Sequence, residues 1–469
     1  DDPGLGKTFQ ILSLILTSKK ATSTLIVVPT SIIEQWKTSA ISLLGKKRVY
    51  VYHGNKRNID NFAKKRVIIT TYGILKRDSR LDTINWERII LDEAHEIKNR
   101  KTKNSKAAMA LNSKYRWGLS GTPFQNANEF KNLYRFVLGI SKDSTETVDL
   151  VRLKKTHFLR RTKEEELKGK IPSIVISNEE IEFISSKEKK FYEKVQKNVR
   201  SEFEQLQQPG VNATQQNVIM FELLLRLRQA SQHPQLVLSG FSRKYGRNMG
   251  KWKKVSSKHA ALIKFIKEHP TENSLVFCQF TEEMDILEKL MKDYVEVLRL
   301  DGSVSSSNRT KILNNCNEMV PDLTTISKNG FNLSRVGNLP NRALSLIKTF
   351  IKPKVFLIQI NAGGVGLNLQ GFSRVYITSP DWNPCNEIQA IARSHRIGQT
   401  NKVIVKKILL KGEEGLSVID DRICQIQMNK RNEMADLLEE ESIRCNGIRK
   451  TLGLTASNYK ALLGNASSM

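Results

Sequence analysis

Cysteine is scarce in this 469-residue chain and wrongly spaced for metal binding. The five cysteines, Cys278, Cys316, Cys385, Cys424 and Cys445, include no C-x-x-C pair. That removes zinc-finger and RING ligand sets, and with them the expectation of structural zinc. The usage fits free thiols in a reducing compartment. Long apolar runs are absent too. Nothing approaches the roughly eighteen apolar residues of a membrane helix, and the most apolar stretches, Leu25–Pro29 and Val355–Ile360, are short and β-branched, as buried strands are. There is no basic amphipathic anchor helix, so no membrane partner is expected. Repeats at solenoid periods are missing. Negative charge is in deficit, with 47 acidic against 76 basic side chains and a net charge of +29. Such an excess points to a polyanionic partner, because each cation set on a phosphate releases counterions. The plainer alternative is a surface that is merely rich in lysine.

The length exceeds one ordinary domain, and 39% hydrophobic residues suffice for more than one core. Residues 1–100 alternate strand-like runs (Leu25–Val28, Val67–Thr70, Arg88–Leu91) with helical stretches such as Ser31–Leu44, a pattern that predicts a parallel sheet with crossover helices. A second alternating block runs from about Ser256, with strands expected at Ser274–Cys278, Val295–Leu300, Val355–Ile360, Arg374–Ile377 and Val403–Leu409. Between them lies a region rich in charged and amide residues, with long helices expected over Lys187–Leu206 and Val218–Ala230 and a loop at Gln207–Gln216. Ser239–Lys254 is basic and glycine-containing, as an interlobe linker would be. The tail from about Glu413 reads as helical and charged.

Four short motifs carry chemistry. Asp1-Asp2-Pro3-Gly4-Leu5-Gly6-Lys7-Thr8 reads as a phosphate-binding loop. Its glycines let backbone amides approach phosphates, Lys7 neutralises them, and the Thr8 hydroxyl is a Mg²⁺ ligand. The helix expected over Phe9–Leu16 turns its N-terminus to the anion. Asp1 stands where the strict pattern has a glycine. Asp92-Glu93-Ala94-His95 follows the apolar Ile89–Leu91, so Asp92 can hold Mg²⁺ while Glu93 polarises an attacking water; an acidic surface turn is the bland alternative. His95 either couples nucleotide state to the neighbouring lobe or is a satisfied loop histidine. Ser120-Gly121-Thr122-Pro123 either links two sites or is simply a turn. In Gln389–Gln399, Arg393 and Arg396 are three apart and on a helix share one face, where they can meet a transferring phosphoryl group or simply face solvent. Asn361–Gly366 is a glycine-rich companion loop.

Taken in order, these motifs resemble the Swi/Snf-type ATPases of helicase superfamily two. Leu159–Lys163, Leu225–Pro234, Leu300–Ser303 and Asp381–Pro384 extend the resemblance from Asp1 to about Lys411. It implies an α/β fold of two RecA-like parallel-sheet lobes with helical insertions between and a helical C-terminal tail. The lobes are expected at 1–165 and 256–412, with a protrusion and linker at 166–255, an insertion at about 309–341 and a tail at 413–469. It implies ATP and Mg²⁺ bound by Pro3, Gly4, Leu5, Gly6, Lys7 and Thr8, with Gly364, Gly366 and Gln389 adding nucleotide contacts, Thr8 and Asp92 as metal ligands, and Lys7, Asp92, Glu93, Arg393 and Arg396 as catalytic groups. It also implies translocation along double-stranded DNA without strand separation. The track is expected at Thr30, Ser31, Thr70, Thr71, Gln279, Thr281, Gly302, Ser303, Trp382 and Asn383, mostly as phosphate contacts. A strand-separating helicase and an inactive DNA-binding scaffold are the alternatives. The objects remodelled would be DNA-bound proteins such as nucleosomes or polymerase complexes, in the nucleus or at a viral replication site.

The chain departs from the family in two places. The family's adenine-recognising stretch and strand upstream of the phosphate loop are not in it, so a fragment or an incomplete gene model is expected. Arg309–Asn341 intervenes before Arg342–Phe350, which reads as the arginine-bearing helix of the second lobe. The His233-Pro234 signature leans toward the repair and transcription-termination branch, without that branch's RING.

Overall fold

The computed structural model describes residues 1–18, 23–55, 57–121, 124, 127–140, 155–206, 213–304, 308–309, 312, 353–360, 367, 369–413 and 416–438. They divide into two compact units, the first mainly Asp1–Ile171 and the second mainly Pro172–His395 with Gln399–Asn429. The expected insertion, the helix at 342–350 and the glycine loop at 361–366 lie outside the described residues.

The first unit is built on β1 (Thr24–Val28), β2 (Val49–Val51), β3 (Val67–Thr71), β4 (Asn85–Asp92) and β5 (Asn112–Leu119), in the sheet order β2-β3-β1-β4-β5. Every pairing is parallel. A parallel sheet with helices on both faces must be apolar on both, and β1 and β3 are buried at every position. Leu25, Val27, Ile68, Ile89 and Leu91 share one core with Trp86, Leu133 and Phe136. Their neighbours Ile26, Val28, Ile69 and Ile90 are equally buried. Helices α1 (Lys7–Thr17), α2 (Ile33–Leu44), α3 (Lys103–Ala110) and α4 (Ala127–Leu138) bury Ile11, Leu12, Ile15, Trp36, Ala40, Ala108 and Phe136.

The second unit carries β6 (Ile174–Ile181), β7 (Ser274–Cys278), β8 (Glu296–Leu300), β9 (Lys354–Gln359), β10 (Arg374–Ile377) and β11 (Val403–Leu410), in the order β6-β11-β10-β7-β9-β8, again all parallel. Alternation along each strand splits the core in two. Leu275, Phe277, Phe356, Ile358, Val375 and Ile377 face one apolar layer. Val276, Cys278, Val355, Leu357 and Tyr376 face another. Strand β6 has no counterpart in the sequence reading, which places a helical protrusion there. It pairs with β11 over its whole length, from Ile174↔Val403 to Ile181↔Leu410. As an edge strand it is only half-buried, and its apolar start, Ile174–Ile176, gives way to four polar residues, Ser177–Glu180, so it carries no alternating pattern.

Helices α5 (Ser186–Leu206), α6 (Ala213–Gln232), α7 (Pro234–Tyr245), α8 (Ser257–Lys267), α9 (Thr281–Met291) and α10 (Pro384–Ile391), with α11 (Ile419–Leu438) as far as Asn429, complete this unit. Tyr192, Val199 and Phe203 of α5 and Leu223, Leu224 and Leu227 of α6 share a core with Leu410, Val418, Ile419 and Ile423. The start of the tail helix is therefore built into this unit.

A buried ion pair joins these parts. Lys258 and Asp420 are 1% and 0% exposed and in direct contact. The Lys258 ammonium also donates to the Thr378 carbonyl at 2.9 Å. Asp420 accepts from the Leu410 amide at 2.9 Å and the Ser231 hydroxyl at 3.1 Å. Such a pair offsets its desolvation only while every partner is present. Asp420→Ala is expected to cost about 3–5 kcal/mol and to lower the melting temperature by on the order of 10 °C in calorimetry. Lys258→Met with Asp420→Leu should recover most of that loss, and a single variant as damaging as the pair would contradict this account.

Candidate functional site

Because the strands run parallel, their carboxyl ends lie along one edge, the usual place for ligands in such sheets. The first unit puts its chemistry there. Asp92 is the last residue of β4, and Glu93 follows it. Asp92 is 8% exposed and held on three sides. Its Oδ2 accepts from the Trp36 indole at 2.6 Å, its Oδ1 from the Glu93 amide at 3.0 Å, and its carbonyl from the Tyr72 hydroxyl at 2.8 Å. Burial, and then the neighbouring Glu93 carboxylate, push the Asp92 carboxyl up to about 6; the Trp36 hydrogen bond and the Lys7 charge pull the other way.

Glu93 is the only non-glycine with positive φ among the described residues, at φ 49°, ψ 53°. A left-handed glutamate costs on the order of 1–3 kcal/mol. The turn aims its carboxylate at His95, whose Nδ1 lies 3.3 Å from Glu93 Oε2 and 3.4 Å from Ser120 Oγ. One ring nitrogen of His95 thus faces both neighbouring motifs.

The phosphate loop leads into α1. Gly6 caps the helix at φ 76° with no side chain on the first amides, and Gly4 stands at φ 99°. Left-handed backbone of this kind is open to glycine and leaves the helix N-terminus clear for an anion. The Lys7 ammonium donates to the carbonyls of Asp1 (2.9 Å) and Asp2 (3.1 Å). Left-handed glycines, a helix start with no side-chain cap, an ammonium and a buried carboxylate within electrostatic range of it form a donor set that fits a magnesium nucleotide.

Two supports of the loop are not visible in its own motif. Gly121 lies so close to Pro3 that a Cβ there would meet its ring at 2.5 Å. The Ser120–Gly121 turn is thus packed against the phosphate loop; Thr122 and Pro123 lie outside the described residues. The second support is the segment Arg160–Lys163. Arg161 donates from Nε and its backbone amide to Asp1 Oδ1 at 3.1 and 3.2 Å, and from Nη2 to Oδ2. Asp2 accepts from the Lys163 amide at 3.1 Å and faces Arg160 at 3.5 Å. The Leu159–Lys163 motif thus has a role that sequence alone left open. Nothing local marks Trp36 as the partner of a carboxylate 56 residues away.

Some expectations need correction. Helix α10 ends at Ile391, and Arg393 and Arg396 sit in the turns beyond it, so they do not share a helical face. Arg393 is 9% exposed. Gln389 is buried inside α10. Gly364 and Gly366 lie outside the described residues. Of the nucleic-acid candidates, Thr30 and Ser31 are exposed on a short turn after β1. Thr70 and Thr71 are 0% and 1% exposed, and their hydroxyls serve the protein itself: Thr70 donates to the Tyr52 carbonyl at 2.9 Å and Thr71 caps the short helix Tyr72–Leu75. Those two hydroxyls are withdrawn as surface contacts.

In the second unit the candidates again follow strand ends. Gln279 and Thr281 come after β7, Gly302 and Ser303 after β8, and Trp382 and Asn383 after β10. Thr281, Gly302 and Ser303 are exposed. Trp382 is half-buried with the Arg228 guanidinium 5.6 Å from its ring, and Asn383 caps α10 through the Cys385 amide at 2.9 Å. Beneath them the buried Glu283 carboxylate gathers the amides of Gln279 (3.1 Å) and Phe280 (3.2 Å) and the Thr378 hydroxyl (2.6 Å), tying the loop after β7 to the end of β10. Burial raises its carboxyl.

Comparison with known proteins falls on the same two units. The family model described as SNF2-related domain matches residues 1–143, and the helicase conserved C-terminal domain matches 257–337 and 337–398. The two matches fall on the two parallel sheets in turn and define a helicase-like core. The chain belongs to the SNF2 family. It is 29% identical to a DNA excision repair protein ERCC-6-like from Danio rerio over 92% of its own length and 34% of that protein. It is 27% identical to DNA repair protein RAD5B from Arabidopsis thaliana over 92% and 42%. The chain thus spans well under two thirds of these relatives. Among solved structures, the Sulfolobus solfataricus SWI2/SNF2 ATPase core in complex with dsDNA is 25% identical over 94% of this chain and 88% of that one, with a TM-score of 0.37.

Two substitutions test the site's supports. Trp36→Phe removes a hydrogen bond to a carboxylate, on the order of 1.5–3 kcal/mol, and should lower ATP turnover about tenfold or more with little change in overall secondary structure. Gly121→Ala forces Pro3 aside at about 1–3 kcal/mol, and nucleotide titration should read this as roughly tenfold weaker binding. Wild-type affinity in Gly121→Ala would disprove the contact's importance.

Proposed function

We propose that this chain is the motor of an ATP-dependent double-stranded DNA translocase that remodels or displaces DNA-bound proteins. The observation that carries the reading is the left-handed Glu93 beside the buried Asp92, in the same unit as the Lys7 loop. Membership of the SNF2 family, repair proteins among the relatives and the net charge of +29 support it.

In this reading Lys7 and the first amides of α1 hold the β- and γ-phosphates. Thr8 and Asp92 would hold Mg²⁺, which would supply positive charge against the phosphates. Glu93 orients the attacking water and takes its proton, and His95 carries the state of Glu93 to Ser120. Arg393 and Arg396 meet the γ-phosphoryl group when the protein closes on nucleotide. Thr30, Ser31, Gln279, Thr281, Gly302, Ser303, Trp382 and Asn383 remain the DNA track. ATP turnover alternates the affinity of each unit for the DNA backbone, which converts the cycle into steps. The nucleus is the proposed compartment.

ATP hydrolysis by the purified chain, measured with no nucleic acid, duplex DNA, single-stranded DNA and RNA, tests this. Strong stimulation by duplex is expected. Lys7→Ala should reduce turnover on the order of a hundredfold, Glu93→Gln should bind ATP and stall, and Arg396→Ala should lower the maximal rate with little loss of ATP affinity. Stimulation by single strands or RNA in preference to duplex would favour a strand-separating helicase, and normal turnover in Arg396→Ala would remove that arginine from the mechanism.

A further inference from the structure

The segment that joins α7 to α8 is unlike a neutral connector. Residues 243–254 hold six cations, Arg243, Lys244, Arg247, Lys251, Lys253 and Lys254, and no carboxylate. All six are exposed. Arg243 lies 3.6 Å from Glu282 and Lys244 3.0 Å from Glu222. Among the described residues the other four make no ion pair, so their charge is uncompensated nearby. Tyr245 stands 53% exposed among them, with the Lys244 ammonium 5.7 Å and the Arg247 guanidinium 6.0 Å from its ring.

The segment is also pinned to the unit beneath it. The Met249 amide donates to Ser242 Oγ at 3.0 Å and the Trp252 amide to Gln235 Oε1 at 2.7 Å. The Trp252 ring lies 5.5 Å from Phe191. An ordered strip loses little entropy on binding. It is continuous with the strand-end loops of the same unit, because Glu282 follows Thr281 at the start of α9 and is held by Ser239 of α7 as well as by Arg243.

We propose that residues 243–254 form a further nucleic-acid surface that extends the track at Gln279 and Thr281, with Arg247, Lys251, Lys253 and Lys254 on phosphodiester oxygens and Tyr245 against a sugar or base face. This rests on the DNA-motor reading of the preceding subsection. Exposed cations spaced along a strip, with an aromatic among them, match a repeating phosphate backbone. A phosphate contact carries no sequence preference, so the surface adds grip without specificity.

The experiment is duplex binding by the whole chain as a function of salt, for the parent and for Arg247→Gln, Lys251→Gln, Lys253→Gln and Lys254→Gln combined. Glutamine keeps a long stem on the surface and removes the charge. Each lost phosphate contact lowers the slope of log affinity against log salt by about 0.9, so the combined variant should lose roughly three to four units of slope and at least about tenfold in affinity at low salt. The duplex concentration for half-maximal ATPase should rise alongside. A variant with the parent's slope and affinity overturns the inference while leaving the motor reading intact, and would assign the strip to an acidic protein surface instead. A parent chain with no salt-dependent duplex binding would overturn both. An unchanged melting temperature in the variant excludes misfolding as the cause of a loss.

Discussion

A parallel strand has its neighbours' carboxyl ends beside its own, and that constraint organises both units. In the first, β1 pairs in register with β3 and β4, and β4 with β5, so Thr30, Asp92 and Ser120 come to one edge although up to ninety residues of chain separate them. In the second, β7, β8 and β10 bring Gln279, Gly302 and Trp382 to one edge in the same way. The sheets must be apolar on both faces to stay buried, so polar chemistry is confined to the edge and to the loops beyond it.

What keeps those loops in place is a set of buried carboxylates. Asp92 is gripped by Trp36 and by the Glu93 amide, Glu283 by two amides and a hydroxyl, and Asp420 by Lys258, Ser231 and an amide. Glu387 adds a fourth, accepting from the Asp381 amide at 2.9 Å and from the Lys407 ammonium and the Gln427 amide group. A buried charge tolerates only a full set of partners, so each fixes the geometry of the chain that supplies them. In the second unit this couples the helices of the charged central region to the strand-end loops. Glu387 and Asp420 between them hold pieces of α6, α8, α10, β11 and α11.

The central strands were legible as short β-branched runs, within a residue or two at Leu25–Val28, Val67–Thr70, Ser274–Cys278 and Arg374–Ile377. The edge strands β2 and β6 were not: β2 is only three residues long, Val49–Val51, and in β6 the open side admits the polar run Ser177–Glu180, which dilutes the pattern. The residue types of the candidate phosphate loop and of Asp92-Glu93 stand out in the sequence because backbone geometry and charge dictate residue type at such places. The helical face assumed for Arg393 and Arg396 failed because α10 ends at Ile391, and spacing alone does not report where a helix stops. Thr70 and Thr71 failed for another reason: a hydroxyl at a strand end looks the same in sequence whether it faces solvent or caps the next helix.

The sequence by itself determined the class of fold, the family and the residue types of the candidate nucleotide site, because apolar period, glycine conformation and charge are local properties of the chain. Tertiary structure alone decided which distant groups hold that site in shape. The Trp36 indole on Asp92, Pro3 against Gly121 and the Arg161 fork on Asp1 join residues whose proximity follows from strand order and helix packing. No local pattern encodes such contacts, since each partner taken alone is an ordinary core or surface residue.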